Sequence, residues 1–383
     1  MLNRNIKIFA IILMYLLCFS CLSACNLSKK NAPSAVTLSG VHKISMGYSH
    51  TAIIKGDNTL WLSGSNREGQ IGNGETSAEI IDSFAQIMND VSVVSIGNSF
   101  SAAVKKDGTL WTWGKNAKGQ LGSGTTENQS TPTQVMEDVS FISAGESHLA
   151  IIKKDGTLWT CGNNSNGQLG DSTTEGKNVP VKVMDDVLFV AAGDTHTAII
   201  KNDNTLWMCG SNSFGQLGIE PRGNSKSTPQ KLMDEVSYVS TGADITAIVK
   251  KDGTLWTCGR NNSGVLGNGL EKDSYALSQI MEKVQSASAG WEVITILKTD
   301  GTVWLCGNSY SGLPDGQTFD VKNLPLPTPT QLTDNGEYIE TGHCVVAIVK
   351  KDNTLWMSGD NSGQFGNGST KRSDNPIQVL DDM

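Results

Sequence analysis

Short apolar runs, each followed by a polar turn, recur along most of the chain. Residues 149–152 are continuously apolar, as expected for a strand covered on both faces, and residues 157–159 begin a second run after a polar break. In every copy the break contains an Asp that is followed only by Gly or Asn. These two residues tolerate positive φ best, so the pattern predicts a β-hairpin turn.

The unit occurs seven times in one register, and its Trp recurs at intervals of 48 to 52 residues. Each copy continues into a Gly-rich corner, and most end in a strand that opens with Pro, such as residues 132–136. About 50 residues with four short strands are typical of one propeller blade, which cannot bury both faces alone. We therefore predict an all-β, seven-bladed β-propeller over residues 36–383; an open β-solenoid is the alternative, with usually shorter repeats and capped ends. The Trp positions are Trp61, Trp111, Trp159, Trp207, Trp256, Trp304 and Trp356.

The two ends of the repeat region suggest how the ring closes. Residues 376–382 have the pattern of the last strand of a blade, and residues 41–46 match the strand that follows this pattern elsewhere, as at 139–144. The sequence therefore predicts that the N- and C-terminal strands pair within one blade.

The first 24 residues differ from the repeats and resemble a bacterial lipoprotein signal. Arg4 and Lys7 precede an apolar stretch too short to favour a transmembrane helix, and residues 22–25 read Leu-Ser-Ala-Cys. The resemblance implies cleavage before Cys25 and its modification by fatty acyl chains such as palmitate. Residues 25–35 would then be a lipidated Cys25 and a flexible tether. An ordinary secretory signal or a short anchor is the alternative.

Three repeated motifs resemble those of the regulator of chromosome condensation family. They are Gly-x-x-His-Thr-Ala, Asp-Gly-x-Leu-Trp-x-x-Gly-x-Asn and Gly-Gln-Leu-Gly-x-Gly, and together they cover residues 41 to 383. The resemblance implies a seven-bladed propeller. It does not imply one activity, because fold and function separate.

Charge and motifs narrow the function. The net charge of −8 argues against a nucleic-acid partner, and the sequence contains no catalytic, nucleotide-binding or zinc motif. We expect no enzyme activity, cofactor or metal; the Asn-rich loops suggest calcium faintly, but turn chemistry accounts for them. His50, His148 and His196 share one repeat position, as do Cys161, Cys209, Cys258 and Cys306. Recurrence favours packing or inter-blade hydrogen bonds for the histidines and buried free thiols for the cysteines. Cys344 stands alone, and its state is undecided.

Function is best sought where the copies differ. The residue after the first Gly of each copy varies, and in a closed ring these residues should lie on one rim of the propeller. Variable positions in the Gly-rich corners add Phe214 and Tyr310 to the candidates. The sixth copy departs furthest, and Trp291, Tyr310, Phe319 and Leu324 form either an aromatic patch or part of a degenerate blade. The candidate binding residues are Tyr48, Asn98, Glu146, Asp194, Trp291, His343, Tyr310 and Phe214.

Three functions fit these observations to different degrees. The favoured hypothesis is a monomeric, non-enzymatic lipoprotein on the extracytoplasmic side of the cell membrane or outer membrane. It would bind an unknown protein or envelope ligand, and its only membrane contact would be the lipid. Inhibition of an envelope or secreted hydrolase is the second, because a secreted bacterial β-lactamase inhibitor has a similar fold. Guanine-nucleotide exchange, the founding activity of the family, is disfavoured by the export signal.

Overall fold

The hairpin turn of each repeat is built by the same three side chains. In the first copy, Asp57 Oδ1 accepts hydrogen bonds from the Thr59 backbone N–H at 2.9 Å and from the Thr59 hydroxyl at 2.6 Å. The Trp61 indole N–H then donates to the Thr59 hydroxyl at 2.7 Å. Asn58, between them, has a φ of 67°, as the Asp-Asn signal predicts. The equivalent Trp-to-Thr bond occurs in all seven copies.

These hairpins assemble into seven antiparallel sheets, each of four strands consecutive in the chain. The computed structural model describes residues 41–221, 223–308 and 325–380, and within them no helix occurs. No helix in this part of the chain is long and apolar enough to cross a membrane. The predicted seven-bladed, all-β propeller is confirmed. Cys25, the segments 1–24 and 25–35, Tyr310, Phe319 and Leu324 lie outside the described residues.

The strand bounds are as follows. Blade 1 comprises β1 (Val41–Met46), β2 (His50–Lys55), β3 (Leu60–Asn66) and β4 (Ser77–Met88). Blade 2 comprises β5 (Val91–Ile96), β6 (Phe100–Lys105), β7 (Leu110–Gly114) and β8 (Gln129–Met136). Blade 3 comprises β9 (Val139–Ala144), β10 (His148–Lys153), β11 (Leu158–Gly162) and β12 (Lys177–Met184). Blade 4 comprises β13 (Val187–Ala192), β14 (His196–Lys201), β15 (Leu206–Gly210) and β16 (Lys226–Met233). Blade 5 comprises β17 (Val236–Thr241), β18 (Ile245–Lys250), β19 (Leu255–Gly259) and β20 (Ser274–Met281). Blade 6 comprises β21 (Val284–Ala289), β22 (Val293–Lys298), β23 (Val303–Asn308) and β24 (Pro325–Thr333). Blade 7 comprises β25 (Gly336–Thr341), β26 (Val345–Lys350), β27 (Leu355–Gly359) and β28 (Ser373–Leu380).

Burial follows the order of the strands within a blade. The first strands of neighbouring blades contact one another around the axis, the second strands are almost wholly buried, and the fourth strands are the most exposed. The apolar cores lie between blades; one, for example, joins Ile54 and Leu60 of blade 1 to Val91 and Val94 of blade 2. Each sheet therefore has both faces covered by its neighbours, which explains the continuous apolar runs.

The prediction that the terminal strands share one blade is wrong. β1 pairs with β2 in blade 1 and β28 pairs with β27 in blade 7, so the chain ends lie in different, adjacent blades. Closure uses the contacts found at the other interfaces. The N–H of Gly368 in the blade 7 corner donates to the Asp82 carbonyl on β4, as Gly124 of blade 2 donates to Asn178 of blade 3. Phe365 and Phe84 pack in the same closing interface.

Candidate functional site at the mouth of the central channel

Seven glycines, one from each blade, form a closed ring around the axis. Each follows the first strand of its blade, and a β-carbon added to any one of them would press against the carbonyl oxygen of the glycine in the next blade. The contact from Gly342 to Gly47 completes the ring. Backbone therefore touches backbone here, which explains why every copy has Gly at this position. The ring members are Gly47, Gly97, Gly145, Gly193, Gly242, Gly290 and Gly342.

The residue after each ring glycine lines one cavity of about 90 Å³ at the end of the central channel. We call this cavity and its lining the axial mouth. Six of the seven positions are half-buried, and Ala243 is buried. The structure thus brings six of the sequence-predicted candidates together on one surface held by an invariant frame. The seven residues are Tyr48, Asn98, Glu146, Asp194, Ala243, Trp291 and His343.

One side of the axial mouth is aromatic. The rings of Trp291 and His343, from blades 6 and 7, are stacked at a centroid distance of 4.3 Å and an interplanar angle of 17°. The Tyr48 ring, from blade 1, lies 4.1 Å from His343 at 37°. Burial lowers the pKa of His343, although the nearby carboxylates of Glu292 and Asp360 oppose this shift. A neutral imidazole between two aromatic rings extends the flat surface that they offer.

Tyr48 also crosses the axial mouth. Its hydroxyl donates a 2.6 Å hydrogen bond to Asp194 Oδ2, although the two residues belong to blades 1 and 4, which are as far apart as two blades of a seven-blade ring can be. Burial, followed by the charge of Asp194, raises the pKa of the Tyr48 phenol, so it remains a donor. The phenol therefore links the aromatic side to the opposite side.

That opposite side is acidic. Burial is the largest cause that raises the pKa of Asp194 to about 6, and the charges of Glu146 and Asp244 add to it, against the hydrogen bond from Tyr48. Burial also raises the pKa of Asp244. Arg260 lies 3.7 Å from Asp244 and also stacks over the Phe214 ring at 4.9 Å. Neither Phe214 nor Asp244 lines the cavity itself; Arg260 links the two.

A second acidic group lies on the first strand of blade 7. Glu340 accepts a 3.0 Å hydrogen bond from the Tyr338 hydroxyl, and burial raises the pKa of Glu340 to about 7. Tyr238 of blade 5 is close enough for the charge of Glu340 to contribute to raising its pKa. Blade 6, between them, carries the small residue Ser286 at the matching position of its first strand.

The three repeat histidines join neighbouring blades, as their recurrence predicts. His148 Nε2 lies 2.9 Å from the Thr197 hydroxyl of the next blade, and that hydroxyl donates to the Gln168 carbonyl. His50 with Ser101 and His196 with Thr246 repeat the arrangement. Burial is the largest cause that lowers the histidine pKa values, to about 3 for His50 and His196 and about 4 for His148, so the rings are neutral at neutral pH.

The residue at the histidine position of one blade is matched to the residue that it meets in the next blade: a histidine meets a hydroxyl residue, and an apolar residue meets an apolar residue. We call this the pairing rule, and it accounts for most of the remaining copies. Where Phe100, Ile245 or Val293 replaces His, the next blade carries Leu149, Ile294 or Val346 instead of a hydroxyl residue. Only the closing interface breaks the rule, because Val345 of blade 7 faces the position of Thr51. The Thr51 hydroxyl is buried and has no hydrogen-bond partner among the described residues.

The four repeat cysteines are buried free thiols, as predicted. The thiols of Cys161, Cys209 and Cys258 each donate, at 3.7 Å, to the backbone carbonyl of the Gln in the Gly-rich corner of the preceding blade. In blade 2 the indole N–H of Trp113 donates to the equivalent carbonyl at 2.9 Å. Burial raises the pKa of the Cys161, Cys209 and Cys258 thiols to about 12, so these thiols are unreactive. Cys344 is a half-buried free thiol whose Sγ lies 3.1 Å from His343 Nδ1, and burial raises its pKa to about 11.

The Asn side chains of the corners hydrogen-bond to the chain itself. The Nδ2 of buried Asn164 donates to Asp171 Oδ1 and to the Thr173 carbonyl, and its Oδ1 accepts the Leu169 N–H. Within the described ranges no three His, Cys, Asp or Glu side chains are grouped as metal ligands.

Asp244 lies beside the cavity, close enough for its charge to act on Asp194, and is not among the sequence-predicted candidates. It stands one place after the variable position, where most copies carry Ser or Thr. Comparing this second position between copies would have found it. Glu340 carries a similar signal, since the corresponding places in five other blades hold Ser.

The repeat, the glycine ring and the closed set of blades agree with a comparison against known families. The family model described as the RCC1-like domain matches residues 21–282 and 142–382. The chain belongs to the RCC1-like domain family. A search of curated proteins finds no match to this RCC1-like chain.

Several solved structures share the fold of this RCC1-like chain. Human WBSCR16 is 20% identical with a TM-score of 0.73, over 84% of this chain and 93% of the other. Prp20p from Saccharomyces cerevisiae is 18% identical with a TM-score of 0.73, over 83% and 85%. Yeast RCC1 (Prp20) in a complex with Kap60 is 20% identical with a TM-score of 0.70, over 79% and 78%. At these identities the likeness concerns the fold alone.

Proposed function

We propose that this RCC1-like chain is a non-enzymatic scaffold that binds a protein partner through the axial mouth. The observation that carries the proposal is the convergence of seven variable residues, on seven identical glycines, around one cavity. A surface in which one position varies while its backbone frame is fixed suits recognition of a specific partner. Yeast RCC1 (Prp20) is described as bound to Kap60, and Prp20p as binding Gsp1p and histones, so protein binding has precedent on this fold.

We further propose that the scaffold is held at the extracytoplasmic side of a membrane by acyl chains on Cys25. This proposal rests on the sequence of residues 1–25 alone. More than one acyl chain is needed for stable anchoring. Mass spectrometry of the mature N-terminus should find an acylated Cys25, and Cys25→Ser should leave the membrane fraction. An unmodified Cys25 with residues 1–24 retained would contradict the anchor.

Capture from envelope extracts tests the binding surface. The full chain in mild detergent, Trp291→Ala and Tyr275→Ala would be compared as bait. Tyr275 is an exposed aromatic residue on the outer strand β20 and serves as the matched control. We expect the wild type and Tyr275→Ala to retain the same protein and Trp291→Ala to retain at least ten-fold less. Equal retention by all three baits, or no retained protein, would refute the proposal.

A further inference from the structure

The acidic side of the axial mouth has a shortage of positive charge. Glu146, Asp194 and Asp244 are close enough for their charges to affect one another, and of these only Asp244 has an ion pair within the described ranges. That pair, with Arg260, is 3.7 Å long. Buried carboxylates normally have a cationic or hydrogen-bonding partner. Asp194 accepts a hydrogen bond from Tyr48 and Asp244 accepts one from Gln216, but Asp194 has no ion pair among the described residues, so a cation entering the cavity would add positive charge there.

The remaining lining favours a flat cation with several donors. The stacked Trp291 and His343 rings offer an aromatic face beside the carboxylates, and such faces attract cations. Thr241 lines the same cavity, and its buried hydroxyl oxygen has no hydrogen-bond partner in the described part of the chain. A guanidinium is planar, carries five N–H donors, stacks on aromatic rings and binds carboxylates in pairs. An ammonium matches the charge but not the flat surface.

The size of the cavity suits a side chain and excludes a helix. A volume of about 90 Å³ is large enough for the head of one long side chain. It is far too small for a helix, whose diameter with side chains is about 10–12 Å. A partner bound at this face therefore enters the cavity with a side chain and not with a helix.

We infer that the axial mouth receives the guanidinium of an arginine that projects from the protein partner, with Asp194 as its main carboxylate. The inference rests on the proposed function and names the chemistry of the contact. Because the Tyr48 hydroxyl already occupies Asp194 Oδ2 in the free protein, the arginine displaces it. Tyr48 therefore competes with the ligand for Asp194, and Asp194 is the residue that binds the ligand.

The two roles predict opposite effects of two conservative substitutions. Asp194→Asn removes the charge and should weaken arginine binding at least ten-fold. Tyr48→Phe keeps the ring beside His343 but removes the competing donor, so it should strengthen binding about three-fold. Tyr275→Phe, on β20, makes the same chemical change away from the axial mouth and should have no effect.

The probe is the blocked pentapeptide Gly-Gly-Arg-Gly-Gly, titrated into the full chain in mild detergent and followed by ligand-detected NMR. Citrulline in place of Arg keeps the shape and removes the charge, and it should bind at least ten-fold more weakly. Lys should bind several-fold more weakly than Arg. Free L-arginine carries a carboxylate that the acidic side repels, so it should also bind more weakly than the blocked peptide.

The pH dependence adds an independent readout. Asp194 must be ionised to hold the cation, and the groups that face it are Tyr48, Glu146 and Asp244, with Arg260 beside Asp244. With the pKa of Asp194 at about 6, arginine affinity should fall about ten-fold from pH 7.5 to pH 5. In Asp194→Asn this dependence should largely disappear.

Each result decides between the inference and its rivals. Equal binding of the citrulline peptide would overturn the inference, as would a loss of binding in Tyr48→Phe. Equal binding of the lysine peptide would overturn guanidinium selectivity, and tighter binding of free L-arginine would assign the site to a small molecule. If no peptide binds while Trp291→Ala still loses the captured partner, the arginine contact is wrong but the proposed function stands. If the capture itself is unaffected, the proposed function fails.

Discussion

Asp194→Asn should stabilise the protein at neutral pH while it removes the residue most important for binding. The carboxyl has an ordinary pKa of 3.8, and its pKa in the folded protein is about 6. Well below pH 3.8 it is protonated in both states and costs nothing. As the pH rises toward 6 the unfolded chain loses the proton first, so stability is lost, and above about pH 6 the full cost remains. At about 1.4 kcal/mol for each pKa unit, the cost is about 3 kcal/mol.

The assay is denaturant unfolding of the full chain in mild detergent at pH 4, 6 and 8. Asn retains an oxygen that accepts the Tyr48 hydrogen bond, so the substitution changes mainly the charge. We expect Asp194→Asn to be within about 0.5 kcal/mol of the wild type at pH 4 and to exceed it by up to about 3 kcal/mol at pH 8. Asp155→Asn is the control of opposite sign, because hydrogen bonds from Thr157 lower the pKa of Asp155. A variant less stable than the wild type at pH 8 would refute this account of the acidic side.

Other predictions concern the frame around the axial mouth. Thr51→Val should stabilise the protein by about 1 kcal/mol because it removes a buried hydroxyl that has no partner among the described residues. Thr197→Val should destabilise it by about 1–3 kcal/mol because His148 of the preceding blade loses its hydrogen-bond partner. If denaturant unfolding gave both changes the same sign, the pairing rule would be contradicted. Gly145→Ala should lower the melting temperature far more than Gly176→Ala, whose added carbon would lie 3.1 Å from the nearest carbonyl oxygen, and similar losses would argue against the closed ring. Glu340→Gln should make stability less dependent on pH between about 4.5 and 7, with the variant gaining on the wild type as the pH rises; parallel profiles would contradict its raised pKa.

The repeat allowed most of the fold to be predicted. The Asp-Thr-Trp turns, the apolar second strands and the seven-fold count all follow from local chemistry that recurs in the sequence. The way in which the ring of blades closes did not follow from the repeat. Residues 139–144 come directly after the outer strand of blade 2, yet they form the first strand of blade 3. Adjacency along the chain therefore did not reveal which strands share hydrogen bonds.

The candidate site was predicted as a set of positions but not as a geometry. Variation after the ring glycine identified Tyr48, Asp194, Trp291 and His343 together. The hydrogen bond between Tyr48 and Asp194 depends on the ring bringing distant blades together, and nothing local in the sequence encodes it. Asp244 was missed because the place directly after the variable rim position was not compared between copies.

Photocrosslinking from inside the axial mouth tests the central claim most directly. A benzophenone amino acid would replace Asn98, which lines the cavity, and in a second variant Tyr275, which lies on an outer strand. After irradiation of intact cells, we predict a discrete protein adduct from position 98 and none from position 275. An adduct from position 275 alone, or none from either, would contradict the claim that this RCC1-like chain binds its partner through the axial mouth.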